Sequence, residues 1–355
     1  MRSSTRVNIL FAIIAVSFAY YFTILRFQLD YQYGRATLAR LLSYSADIPF
    51  QYRVLPVWTI NSVAGMIPPF HLPPGLWVTE GVPIGCARAA VLIEFASILG
   101  VIVAFRYYLG LVAGARPAVV SLLSISLPVT LPFIYLLPRY SPYWSPSDAP
   151  ALLLFILGLT CLFRIRSLER SNTPRGTAVW VACYYGLFAA GCFNRETILF
   201  LALVYLVTAW RNTETGKALL HFGAQVLIWA FAKVVLLKLY GSNPSEGGTF
   251  FEDHLVHNLS VLSDPRNYGL ILSCAGFAWI PAVAGYRLIR SEFVKRAFLV
   301  TIPFILAAIL VGSVLEMRIY QELLPLVLPA AILGMEGLLA HETPTETGAN
   351  GAIMT

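Results

Sequence analysis

Residues 177–210 read TAVWVACYYGLFAAGCFNRETILFLALVYLVTAW, one apolar stretch interrupted only by Asn194-Arg195-Glu196. A helix needs roughly 20 residues to cross about 30 Å of hydrocarbon. Each half of this stretch has only about 16, short for a full crossing at about 1.5 Å per residue. The NRE turn is therefore expected below the membrane surface, in a cavity rather than in lipid. Arg and Glu at that depth are costly unless they pair or line a water-filled site. Two readings stand side by side: an arginine–acid pair that staples helices, or part of a polar functional site.

The rest of the chain has the same character. Of 355 residues, 58% are apolar and only 12% charged, with mean hydropathy +0.72. Soluble domains carry about 25% charged residues. The composition excludes an ordinary soluble enzyme, and also a nucleic-acid binder or a disordered scaffold, both of which need solvated polar surface. It defines an all-α polytopic membrane protein. About ten spans are expected, near 8–27, 88–106, 117–137, 148–164, 177–192, 194–210, 219–240, 268–288, 297–314 and 320–340. The exit of the first run, Arg26-Phe27-Gln28-Leu29, offers no small-residue cleavage site, so it reads as an uncleaved span. The five cysteines suggest neither a disulfide framework nor a metal site.

Orientation follows from the basic loops, Arg164/Arg166/Arg170/Arg175 and Arg287/Arg290/Lys295/Arg296, which are expected to be cytoplasmic. Alternating outward from them places both termini inside, in agreement with Arg2 and Arg6. Residues 54–69, VLPVWTINSVAGMIPP, would invert everything before them if they crossed. Because the segment is short and broken by proline, residues 28–87 are read as one large external loop with membrane-surface helices, one of them over Tyr33–Tyr44. A re-entrant hairpin would look the same. A second external loop covers 241–267. Residues 1–340 form a single transmembrane domain, and 341–355 a polar, disordered cytoplasmic tail.

Under this layout all five aspartates, Asp30, Asp47, Asp148, Asp253 and Asp264, fall on the external side, with Glu196 and Glu316. Acidic residues contribute little to orientation, so their gathering suggests a polar site at that face, although external loops need some polar residues in any case. Asp30 lies just beyond the first span, where a carboxylate is placed to meet a lipid-borne substrate. Asp148, behind Ser147 and before Pro150, is explained equally well as a helix cap. The turn Glu316-Met317-Arg318-Ile319-Tyr320 shares the face of NRE. Glu316 and Arg318 are too close to face each other on a helix, so separate partners are expected. Lys233 lies deep enough in its span to meet a phosphate, whereas Lys238 can snorkel. Glu94, inside a span, needs a bundle partner or a cavity. His254 and His257 lack a further ligand for a metal. Asn258-Leu-Ser260 is a glycosylation sequon on the expected external side, meaningful only in a eukaryotic source. No HExxH, GxSxG or P-loop spacing is present.

Taken together, Asp30-Tyr31, PFQYRVLP (49–56), SDAPALLL (147–154), NRETILF (194–200) and EMRIYQELLPL (316–326) form a set of marks that resembles the GT-C superfamily of integral membrane glycosyltransferases. Each motif is short; the set spans most of the chain. The resemblance implies transfer of a sugar from a polyprenyl-phosphate donor to a glycan, lipid or protein acceptor. The reaction would take place at the external face of the plasma (inner) membrane, with inversion. It places the base on Asp30, with Asp148 or Asp47 as fallback. Phosphate and sugar would be held by Arg53, Arg139, Arg195, Glu196, Lys233, Glu316, Arg318 and Tyr320, with Asp47 nearby. No cofactor and no nucleic-acid partner is implied, and a divalent metal is left open. Asp30 is followed by Tyr31 rather than a second carboxylate, a departure that points to a divergent acceptor. The competing classes are a transporter or flippase of a lipid-linked or anionic substrate, and a non-catalytic membrane assembly protein of the same fold.

Overall fold

The computed structural model describes residues 3–136, 143–210, 215–245 and 254–342. Among them the regular structure is helical, apart from an isolated bridge between Tyr31 and Tyr143. The α-helices are α1 (Ser3–Leu29), α2 (Leu38–Leu42), α3 (Val54–Val63), α4 (Ile84–Ala113), α5 (Pro117–Leu123), α6 (Ser126–Tyr135), α7 (Asp148–Arg170) and α8 (Pro174–Cys192). They continue with α9 (Phe200–Ala209), α10 (Thr215–Tyr240), α11 (Leu255–Ser263), α12 (Tyr268–Leu272), α13 (Trp279–Ala284), α14 (Glu292–Phe298), α15 (Thr301–Val311) and α16 (Leu324–Glu342).

Among the described residues, seven helical stretches are long and apolar enough to cross a membrane: Thr5–Leu29, Ile84–Ala113, Pro117–Tyr135, Asp148–Arg170, Thr215–Tyr240, Glu292–Val311 and Met317–Ala340. Their burial separates centre from periphery. In its most apolar window α7 is 61% buried and the last stretch 67%, whereas α1 and α10 are 28% and 22% buried. The outer pair thus turn apolar side chains such as Leu10, Leu220 and Phe231 outward, the pattern that a lipid-facing helix requires. The inner helix α7 packs on α4, α8 and α9, and α16 packs on α13 and α14.

Local chemistry sets the boundaries. α4 stops at Gly114, whose φ of +60° is the left-handed cap that glycine adopts without strain. Pro117 and Pro174 open α5 and α8 at the position where a missing N–H costs nothing. Gly285 faces Gly334 so closely that a Cβ on the first would lie 2.5 Å from the second's Cα. That contact lets α16 pass tightly beside α13.

Three expectations change here. The span at 268–288 is not one helix: α12 and α13 are separated by Ala275, Gly276 and Phe277, all in left-handed conformation. The surface helix over 33–44 shortens to a 3-10 turn at Gly34–Ala36 and the five residues of α2. Thr37 starts α2 by accepting the Arg40 amide, and Leu38 and Leu41 are buried. The sequon asparagine is not available for a glycan. Asn258 is fully buried, donates to the carbonyls of Ile309 and Gly312, and accepts from the Val314 amide. The short segment at 54–69 contains only the ten residues of α3, about 15 Å of helix, too little to cross. Residues 343–355 of the expected tail lie outside the described residues.

Candidate functional site

Arg26 sits in the last turn of α1 and is completely buried. Its Nε donates to Asp30 Oδ2 at 3.1 Å, one turn on. One terminal amino group donates to Glu94 of α4 at 2.6 Å, the other to Asp148 Oδ2 of α7 at 3.2 Å. Its guanidinium also lies over the Tyr135 ring at 4.2 Å. A buried guanidinium is tolerated because its fork is met by carboxylates and its face by a π system.

Asp148 is the other hub. Ser147 is the N-cap residue without a side-chain capping bond, and Asp148 occupies the first helical position. Its carboxylate accepts from Arg26, from Arg195 at 3.3 Å and from Arg318 at 3.1 and 3.2 Å. Its side chain therefore serves three arginines rather than the end of its own helix. Arg195 comes from the NRE turn, where it adopts extended backbone between α8 and the 3-10 turn Glu196–Leu199. It also reaches Glu322 at 3.8 Å. Glu322 accepts from Thr197 at 2.7 Å, and the neighbouring Gln321 accepts from the Tyr135 hydroxyl.

Arg318 and Glu316 do pair, at 2.6 Å. The expectation of separate partners assumed a helix through this turn. The backbone at Glu316 is instead non-helical, with φ −83° and ψ 82°, and the two side chains converge. Arg318 stacks over Tyr143 at 3.5 Å, and the Tyr143 hydroxyl donates to Glu316.

Above this lies an aromatic platform. Tyr143 is stacked with Tyr33 at 4.9 Å and lies 6.4 Å from both Tyr31 and Phe50. Arg53 sits over Phe50 at 5.6 Å. It opens a second group: Glu196 takes Lys233 at 2.6 Å and Arg53 at 3.6 Å. Lys233 is buried, 5.6 Å from the Tyr52 ring. The NRE turn joins the two groups, since Arg195 faces one and Glu196 the other.

The inner cluster has three guanidiniums, from Arg26, Arg195 and Arg318. Against them stand five carboxylates, from Asp30, Glu94, Asp148, Glu316 and Glu322. Burial is the main cause that pushes Asp30 up to about 6; Arg26 opposes the rise, and Asp148 and Glu94 add to it. Only one Asp30 oxygen is engaged: Oδ1 is buried with no hydrogen-bond partner. The Nη1 of Arg53 is likewise unpartnered, on a side chain that is 15% exposed.

The structure thus brings together Asp30, Asp148, Arg195, Arg318 and Glu316, and beside them Arg53, Glu196 and Lys233. Asp47 stands apart, held by Arg35 at 3.1 Å and Arg40 at 2.7 Å. Tyr320 packs in the apolar core. Arg139 lies outside the described residues, as does Asp253. Sequence reasoning missed Arg26, Tyr143 and Glu322. The signal for Arg26 was its spacing of four residues before Asp30, which puts both on one helix face. Nothing in the sequence marks Tyr143 as the arginine's stacking partner.

No known protein family, curated protein or solved structure matches this chain. What stands is a helical protein with, among the described residues, seven helices long and apolar enough to cross a membrane and a buried, charge-dense site at one end of its central helix.

Proposed function

We propose that this site transfers a sugar from a polyprenyl-phosphate donor to an acceptor hydroxyl, with inversion. The observation that carries the reading is the unpartnered Oδ1 of Asp30 at the end of α1. A carboxylate shifted toward neutrality and left with free lone pairs has the properties of a general base. In the reaction Asp30 Oδ1 accepts the acceptor's hydroxyl proton as that oxygen bonds to the anomeric carbon. The bond from that carbon to the donor's phosphate oxygen breaks, and the lipid phosphate leaves with the electron pair.

The leaving phosphate needs fixed cations. Arg53, with its free Nη1, and Lys233 fill this role, both oriented by Glu196. Arg195 and Arg318 are already engaged by Asp148, so in this reading they hold the site's shape and field. The aromatic platform between Asp30 and Arg53 offers a face for the sugar ring or the first isoprene. Membership of the plasma membrane and an external-facing site belong to the same proposal, and rest on the basic-loop asymmetry.

The test uses protein reconstituted in lipid with a panel of polyprenyl-phosphate sugars, following loss of sugar by mass spectrometry. Consumption of one donor, abolished in Asp30→Asn while donor binding persists, is the expected result. Undiminished turnover in Asp30→Asn removes Asp30 as base. Failure of every donor to bind favours the transporter or assembly reading.

A further inference from the structure

At the far end of α7 lies a separate cavity of about 270 Å³, lined by Phe163, Arg166, Ser167, Arg170, Ser171 and Phe293. It stands some 29 Å along the helix from Asp148, at about 1.5 Å per residue over the intervening turns. That is close to the thickness of a bilayer's hydrocarbon core. Arg166 and Arg170 are one turn apart on the same face, as are Ser167 and Ser171. Arg166 is 3% exposed. It gives one bond to Glu169 and one to the Tyr205 carbonyl, and lies over the Tyr205 ring at 4.3 Å. Its Nε has no partner, so a buried guanidinium with five N–H groups is only partly satisfied. Arg170 is exposed at the cavity's rim.

The walls are of the opposite character. Phe163 and Phe293 meet edge to face at 5.3 Å, joining α7 to α14. Beyond α14 a neighbouring cavity of about 340 Å³ is lined by Leu206, Val207, Trp210, Leu299 and a single cation, Arg296. Arginine and hydroxyl groups at a helix end, beside an apolar trough, match a phosphate that carries acyl chains. Basic pockets between membrane helices are a recurring means of holding anionic headgroups. We infer that the cavity between α7 and α14 binds the phosphate headgroup of an anionic phospholipid. This site is separate from the cluster around Asp148 and does not depend on the reaction proposed there.

The experiment is native mass spectrometry of the full chain with phosphatidylglycerol, phosphatidylcholine or inorganic phosphate added. Retention of phosphatidylglycerol over phosphatidylcholine is expected, with a loss of about fivefold in Arg166→Gln and at least as much in Arg170→Glu. Arg166→Gln removes a bond to the Tyr205 carbonyl and can disturb folding. Arg170→Glu changes an exposed side chain and keeps the test decisive. Equal retention of the two lipids, or undiminished retention in Arg170→Glu, overturns the proposal. Displacement of the lipid by millimolar inorganic phosphate overturns it too, by showing a phosphate site that ignores the chains.

Discussion

Asp30 and Asp148 share Arg26, yet their environments predict opposite behaviour. Asp30, pushed up to about 6 chiefly by burial, is protonated below that value and cannot accept a proton there. Turnover is therefore expected to rise with pH through about 6, measured as donor consumption between pH 5 and 8. Because its folded pKa is raised from 3.8 to about 6, the stability Asp30 contributes is fully present only well below pH 3.8 and is lost as pH rises from there through about 6. Thermal melting of Asp30→Asn should show a flatter pH dependence over that window. Asp148 binds three arginines and is fully buried. Asp148→Asn is expected to cost about 3–5 kcal/mol, the usual effect of breaking a buried ion pair, read as a lower melting temperature at every pH. Asn258→Ala removes three bonds at a buried site and should cost on the order of 3 kcal/mol at about 1 kcal/mol per bond. At this scale the sequence announced Asp30, Arg195, Glu196 and Arg318, because charges inside apolar runs are conspicuous. It hid the role of Asp148, since a cap and a hub share the pattern Ser-Asp-x-Pro. Partners such as Glu322 also stayed hidden, because they are chosen by packing between distant segments.

Among the elements, the long apolar runs were legible because length and hydropathy alone define them. α1, α10 and α16 begin and end within five residues of their expected limits, while α4 and α7 run about two turns past their expected C-terminal ends. The expected span at 268–288 failed for a reason composition does not carry. Its residues are apolar enough, but three consecutive left-handed positions at Ala275, Gly276 and Phe277 turn the chain. The close crossing of α13 and α16 at Gly285 and Gly334 supplies the prediction at this scale. Gly334→Val should destabilise by about 1–3 kcal/mol, the usual cost of overpacking, because the facing surface is backbone and cannot move aside. Circular dichroism melting checks it, with Gly216→Val, at a position with open space, as the comparison.

Over the whole molecule, α7 carries the arginine–carboxylate cluster at its start and the Arg166–Arg170 cavity at its end, and it is long and apolar enough to cross a membrane, so the proposed layout sets the two on opposite sides. A membrane-impermeant thiol reagent applied from one side should label Met66→Cys, in the loop between α1 and α4, and spare Ser171→Cys. The reagent applied from the other side should reverse the pattern. The same asymmetry has a bearing on how the protein is made. Asp148 draws Arg26 from the first helix, Arg195 from the middle of the chain and Arg318 from 170 residues beyond Asp148 itself. A ribosome delivers these charges in that order. While the last helices are still being synthesised, the carboxylate has two of its three arginines, and the platform ring of Tyr143 has no guanidinium beneath it. Any chain released before residue 318 carries most of the apolar length yet leaves the charged hub unfinished. Such a product would be marked for quality control by its electrostatics rather than by exposed apolar surface.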